Sequence, residues 1–458
     1  MANKPDDIPD SRLGRGAMIG GLAARESAKY AGTAAANLAR RPPQRRIKLE
    51  ERQLQSADRM LAVLGTMKGP AMKLGQMLSF VDLGFLPEDV RPRFQQRLAS
   101  LCEEAPAISW DRMEPTLAAA LGQPVSAAFR EIDPAPVGSA SIGQVYRAQL
   151  HDGRDVAVKV QYPKIVSAAR ADLKNLAVLL RLGRSFAPSI DTDALARELS
   201  RRFLEELDYA NEARNTAEMA ALFAGHPHVR VAAPILELCT PTVIVTEFLD
   251  GTDFAAIANE DNAARDRFGE VVGRFYLGTL VRSGIFSGDP HPGNIKLLAD
   301  GRLAFLDFGS VERLGPQQVT LVQAVLRALL ERRGADAIRL LSADSVIARP
   351  DKLSGDGLME FVHDILGWLL VDDTVELTPR SASETMIKAA SPVGDYSALM
   401  RGQDFPVEWA LMVRTLITTT ALVGQIRASG NWYRMASEWV AGFAPETEVG
   451  VADAAFWV

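Results

Sequence analysis

The chain of 458 residues is 47% apolar and 24% charged, the composition of a globular protein with room for two or three core-bearing units rather than of a disordered one. A formal net charge of −6 excludes a protein whose main task is coating nucleic acid. Two cysteines, Cys102 and Cys239, cannot build a disulfide framework or a four-thiolate zinc site, so a reducing compartment is expected.

Residues 1–53 form the first segment. A polar tail of ten residues leads into Ser11–Arg52, where ten Lys/Arg stand against three acidic residues among many Ala and Gly. A basic arm of this kind is drawn to anionic lipid at about 1 kcal/mol per basic residue near the surface. It has no stripe of large apolar residues, which favours an alanine-rich helix packed on its own domain over a membrane-surface helix. The apolar stretch Ala17–Ala24 is short, broken by glycine and followed by Arg25-Glu26, so it does not read as a secretory signal.

Residues 54–130 carry apolar residues at three-to-four spacing and are expected to be helical. From 131 to 250 the texture changes. Short Val/Ile-rich runs at 132–160 and 229–248, bounded by Gly, Pro and Asp, read as strands, with helix between them. Residues 251–458 read as helical apart from the stretch around Asp307, and end in a helical tail. The expected fold is α+β, a small strand-rich lobe followed by a larger helical lobe. No run reaches the roughly 18 apolar residues of a membrane span. The longest, Trp409–Gly424, is interrupted by Arg414 and reads as a buried amphipathic helix. The expectation is a cytoplasmic protein with any membrane contact peripheral.

The tripeptide Asp307-Phe-Gly, at the end of a strand-like run, raises the chemistry. Alone it is a strand-end turn. As a magnesium ligand for phosphoryl transfer it requires phosphates held, charge neutralised and an acceptor oriented. Gly138-Ser-Ala-Ser-Ile-Gly143-Gln-Val145 follows G-x-G-x-x-G-x-V with Ala140 at the second glycine. Small residues (Gly138, Ser139, Ala140, Ser141, Gly143) let backbone N–H groups approach phosphate, although a hairpin turn explains them equally well. Val156-Ala157-Val-Lys159, fourteen residues past Val145, supplies a cation in an apolar strand, where charge is costly unless paired. Spacing leaves Glu205, Glu206 and Glu212 open as its partner, and Glu212 is taken. Asp208 and Glu212, four apart, are expected on one helix face.

The strand Val243–Glu247 leads into Phe248 and Leu249, where backbone near Glu247–Leu249 is expected to meet adenine. In Gly288-Asp289-Pro-His-Pro-Gly-Asn294, Asp289 and Asn294 have the D-x-x-x-x-N spacing of a kinase catalytic loop. His291 is expected to hold the loop by hydrogen bonds rather than to bind metal. Thirteen residues separate Asn294 from Asp307, room for two short strands around Asp300-Gly301, which would bring both onto one magnesium pair with Asp289 facing the acceptor. Each piece is weak alone, but all occur in kinase order.

With Lys68-Gly-Pro-Ala-Met-Lys73-Leu-Gly-Gln76 and Glu206-Leu-Asp208, the chain closely resembles the UbiB/AarF family of atypical kinases, over roughly residues 55–320. The shared signatures are K-x-G-Q, an alanine loop, E-x-D and D-P-H-P-G-N. The resemblance implies a protein-kinase-like bilobal fold with a helical N-terminal extension. In it Lys73 and Gln76 meet Glu206 and Asp208 over the nucleotide pocket, Lys159 pairs with Glu212, and Asn294 and Asp307 hold magnesium. It also implies ATP and Mg2+ as cofactors, a link to isoprenoid lipids and quinone biosynthesis, and ATPase activity more readily than protein phosphorylation. The kinase catalytic-loop His-Arg is replaced by Ser287-Gly288 and no A-P-E follows, so a peptide platform is not expected. The acceptor is then a small molecule, a lipid or water. The alternatives are a small-molecule phosphotransferase of the aminoglycoside-kinase type and a nucleotide-regulated scaffold for biosynthetic partners. The sequence carries no signature of an oligomeric state.

Overall fold

The computed structural model describes residues 108–139, 142–163, 165–166, 173, 200, 204, 207–347, 349–381 and 407–457. The chain divides into two compact units. One holds the described residues up to Ala210 together with Glu237–Val245, and the other holds Asn211–Leu236 with Thr246–Val458.

The first unit opens with helices α1 (Trp110–Leu121) and α2 (Val125–Ala128). Gly122 ends α1 in the left-handed conformation, φ 68°, as helix C-termini commonly do. A five-stranded sheet follows, built from β1 (Glu131–Ile132), β2 (Gly138–Ser139), β3 (Gly143–Gln149), β4 (Asp155–Gln161) and β6 (Val243–Glu247). Strand β3 pairs antiparallel with β4 along seven residues, while β1 and β2 share its other edge. Strand alternation sets the burial: Val156, Val158 and Val160 of β4 face the core, as do Met113 and Leu117 of α1. The buried Gln144 amide fixes the start of α1, accepting from the Ile108 N–H (2.6 Å) and donating to the Ile108 carbonyl (3.2 Å) and the Tyr146 hydroxyl (3.0 Å).

The second unit contains a four-stranded sheet in the order β5 (Val229–Val231), β10 (Leu303–Phe305), β9 (Ile295–Leu298), β7 (Gly251–Asp253). A short ladder joins β8 (Ile285–Ser287) to β11 (Val311–Arg313), and another joins β12 (Val375–Glu376) to β13 (Ser429–Gly430). Helix α3 (Tyr209–Leu222) enters this unit; α4 (Asn262–Gly273), α5 (Thr279–Ser283), α6 (Pro316–Leu330), α7 (Gly334–Ala343), α8 (Gly355–Leu366), α9 (Val407–Gln425), α10 (Trp432–Val440) and α11 (Glu448–Phe456) belong to it. Its core is aromatic. Phe275 stacks on Phe305 with ring centroids 3.6 Å apart, and Phe308, Phe223, Phe268 and Trp432 join the same cluster. Each such ring contributes roughly 1.5–3 kcal/mol by burial.

Between α4 and α5 the chain makes a π turn, Arg274–Gly278. The wider turn buries three consecutive side chains, Arg274, Phe275 and Tyr276, and such turns often sit at functional sites. The C-terminal α11 is held by buried charge. Asp453 meets Arg274 at 3.1 Å, Arg282 at 2.6 Å and His226 at 3.3 Å. The His226 Nδ1 accepts from the backbone N–H groups of His228 and Val229, so the ring proton resides on Nε2, facing Asp453.

The structure differs from the sequence reading in the three-residue strand β8 and the two-residue β12 and β13, which fall where helix was expected. Runs this short cannot display a period-two pattern. It also removes Asp208 from the helix face expected for it: α3 begins at Tyr209, and Asp208 is the exposed residue before it. A short acidic side chain suits that N-cap position better than the helix interior. Lys73, Gln76, Ala140, Ser141 and Glu206, with all of the N-terminal arm and most of the helical extension, lie outside the described residues.

Candidate active site

In the first unit, Gly138 and Ser139 pair with Val145 and Gln144, so these two residues form the short strand β2 against the start of β3. Gly143 is required by packing. A Cβ there would press into the Val160 carbonyl and stand 3.1 Å from the Tyr209 hydroxyl. Among the described residues, no atom lies within 4 Å of a would-be Cβ on Gly138, so none of them demands a glycine there. On β4, Ala157 and Lys159 lie half-buried on the face opposite the core valines, and Lys159 is registered against Val145. Its ammonium sits 4.9 Å from the centroid of the buried Tyr209 ring, a cation–π contact that lowers the cost of a cation on this face.

In the second unit, the β9–β10 hairpin turns at Gly301, φ 82°, a conformation that glycine adopts without strain. Its register pairs Ile295 with Phe305, and the Leu306 N–H donates to the Asn294 carbonyl at 3.0 Å. Asn294 and Asp307 are thereby brought together at the open end of the hairpin. The Asp307 Oδ1 accepts from the Gly309 N–H at 3.0 Å. A Cβ on Gly309 would stand 3.4 Å from that oxygen and 3.9 Å from the Glu212 Oε2, so the buried Glu212 shares this turn with Asp307. The Gly288 N–H donates to the Ser310 carbonyl at 2.8 Å, and with the β8–β11 ladder this fastens the Asp289 loop to the segment after Asp-Phe-Gly. The chain then enters α6 at Pro316, leaving no long activation loop. His291 Nδ1 accepts from the Gly293 N–H at 3.1 Å and so shapes its own loop.

Three residues that the sequence reading did not select belong to this site. The Tyr276 phenol, buried in the π turn, is pushed far above its ordinary range by burial and then by the charges of Asp289 and Asp307, so it remains a neutral hydroxyl. Asn215, one turn beyond Glu212 on α3 and 3% exposed, donates to the Phe308 carbonyl at 3.0 Å and accepts from Arg313 at 2.8 Å. Arg414 of α9 donates to the Asp289 Oδ1 at 2.8 Å. The expected adenine-binding backbone runs from the end of β6 into the link to β7. The Glu247 N–H is committed to the Ala233 carbonyl at 2.9 Å, and its side chain pairs with Arg230 at 2.6 Å. Phe248 and Leu249, in the link to β7, are half-buried.

A strand-rich hairpin with a lysine strand, followed by a helical unit carrying D-x-x-x-x-N and D-F-G on short strands, is a kinase-like fold. The model of the ABC1 atypical kinase-like domain matches residues 100–340, more than half of the chain, and the chain belongs to that family. It is 29% identical over 399 residues to the Arabidopsis thaliana Protein ACTIVITY OF BC1 COMPLEX KINASE 1, chloroplastic, covering 81% of this chain and 54% of that one. It is 31% identical over 337 residues to the Caenorhabditis elegans Atypical kinase coq-8, mitochondrial, covering 70% and 43%. Among solved structures it resembles Rv3197 of Mycobacterium tuberculosis, described as a complex with erythromycin. That match has a TM-score of 0.61 and 28% identity, over 88% of this chain and 100% of that one. The chain spans roughly half the length of its curated relatives, 46–62% for four of them. Among the described residues no helix is long and apolar enough to cross a membrane.

Proposed function

We propose that this protein is an ATP-binding, magnesium-dependent atypical kinase or ATPase that serves isoprenoid-lipid or quinone metabolism, with water, a small molecule or a lipid as acceptor. The observation that carries the reading is the β9–β10 register, which sets Asn294 beside Asp307, with the Asp289 loop fastened to the segment after Asp-Phe-Gly by the Gly288 N–H bond to the Ser310 carbonyl. Asn294 and Asp307 offer an amide carbonyl and a carboxylate. Hard oxygen donors of this kind suit Mg2+, which takes one or two such ligands and completes its octahedron with phosphate and water. When bound, the ion neutralises charge between the β- and γ-phosphates.

In this reading Lys159 positions the phosphates, Glu212 is the acid assigned to it by the family resemblance, and the Gly138–Gly143 turn covers them. Backbone at Glu247–Leu249 meets adenine. Asp289 takes the acceptor proton as the new P–O bond forms and the bond to the bridging oxygen of ADP breaks. The regulatory role of Lys73, Gln76, Glu206 and Asp208 over the pocket is proposed on the resemblance alone, and so is peripheral membrane contact.

The test is phosphate release from Mg·ATP with and without anionic liposomes, beside Asp307→Asn. Turnover that rises with liposomes and vanishes in Asp307→Asn is the expected result. Turnover retained in Asp307→Asn contradicts it. A second reading, a small-molecule phosphotransferase, is favoured by the erythromycin complex of the mycobacterial protein. Stoichiometric consumption of ATP on adding a macrolide or an aminoglycoside would select it. A scaffold would keep its biological role in Asp289→Asn.

A further inference from the structure

Arg414 interrupts the longest apolar run of the chain, and its place in the fold gives that charge a task. Helix α9 is seated by packing. Leu411 and Met412, both buried, share a cluster with Phe286 of β8, the strand that leads through Ser287 and Gly288 into Asp289. Leu411 lies one turn before Arg414, so the same packing that fixes β8 delivers the guanidinium to the Asp289 carboxylate, 2.8 Å from Oδ1. The two side chains are 23% and 31% exposed. A single part-buried pair that still meets solvent contributes modestly to stability, and an aliphatic residue would suit the apolar run of α9 better. What the arginine adds is direction. A charge-assisted hydrogen bond on Oδ1 fixes the plane of the carboxylate and, with it, the line along which Oδ2 receives a proton.

We propose that Arg414 is a positioning residue for Asp289, holding the carboxylate that faces the acceptor from a helix outside every kinase motif. The inference rests on the function proposed above. It is tested on the full chain with Arg414→Met, Arg414→Lys, Asp289→Asn and the Asp289→Asn/Arg414→Met double variant, reading Mg·ATP turnover and urea-unfolding midpoints on the same samples. Misplacing a reacting group by about an ångström costs up to about a hundredfold, so Arg414→Met lowers kcat about ten- to a hundredfold. The KM for ATP stays within about twofold, because only the reacting geometry is lost. Arg414→Lys restores part of kcat by keeping a cation at Oδ1. In the Asp289→Asn background Arg414→Met costs nothing further, since residues acting as a unit are not additive.

An Arg414→Met protein that keeps kcat, that changes only KM for ATP, or that loses as much again in the Asp289→Asn background overturns the proposal. If no form turns over ATP, the function proposed above fails, and unfolding decides the pairing. Midpoint shifts of the two single variants that simply add in the double variant overturn it, while overlapping shifts support it.

Discussion

Two arginine–carboxylate arrangements in the second unit have opposite designs. At the C-terminal helix, the side chains of Arg274 and Asp453 are each 3% exposed. Arg274 also bonds Glu270 and Glu438, and Asp453 also bonds Arg282 and His226. Charges so deeply buried persist only when several groups compensate each other. At the candidate active site, the side chains of Arg414 and Asp289 are 23% and 31% exposed and meet at 2.8 Å. The first arrangement closes a core, whereas the second leaves a carboxylate within reach of a substrate. The difference teaches that an ion pair near a site is judged by how far it is removed from water, not by its length.

The largest expected effect breaks the buried arrangement. Asp453→Ala leaves two arginines facing a gap and should cost about 3–5 kcal/mol in urea unfolding; a loss below about 1 kcal/mol would place it in the same class as an exposed pair. The same group predicts an acid limb. Burial pushes the Asp453 carboxyl up, but the His226 hydrogen bond and the Arg282 and Arg274 charges more than offset this and hold it at about 2, below its ordinary 3.8. Because the folded value is the lower, its stabilisation is complete above about pH 4 and drains as pH falls through 2, by roughly 2 kcal/mol. Unfolding free energy measured against pH should show this slope, and Asp453→Asn should flatten it.

Asn215 falls between the extremes, buried yet neutral. Asn215→Ala strands the Phe308 carbonyl and part of Arg313, and should cost about 1–3 kcal/mol while lowering turnover through the Asp307 turn. The smallest stability effect belongs to Arg414→Met, under about 1 kcal/mol, although its expected effect on kcat is large. Calorimetric melting beside turnover checks both, and a large stability loss with normal turnover would reverse the contrast.

How much of this was legible in the sequence follows the distance over which each residue finds its partners. Asn294 and Asp307 flank one local hairpin whose turn, Asp300-Gly301, is written in the chain, so spacing brought them together, with Asp289 in the short loop ahead of it. The Lys159 strand was legible for the same reason, through its alternation of valines. Tyr276 was missed because a π turn has no residue pattern of its own. Asn215 was passed over for the acids around it. Arg414 is 125 residues from Asp289, and its only trace was a charge inside an apolar run. That charge was correctly read as marking a buried amphipathic helix, but helical periodicity does not say which loop the helix will meet. Gly143 was read for phosphate, where the structure also gives it a packing reason that only the β4 backbone reveals.

The most direct measurement is the affinity for ATP by calorimetry as a function of Mg2+, for the wild-type chain and for Asp307→Asn. The account predicts that Mg2+ tightens ATP binding in the wild type and that this dependence is lost in a folded Asp307→Asn protein. An identical response to Mg2+ in both would contradict the assignment of Asn294 and Asp307 to the metal, and with it the phosphoryl-transfer site.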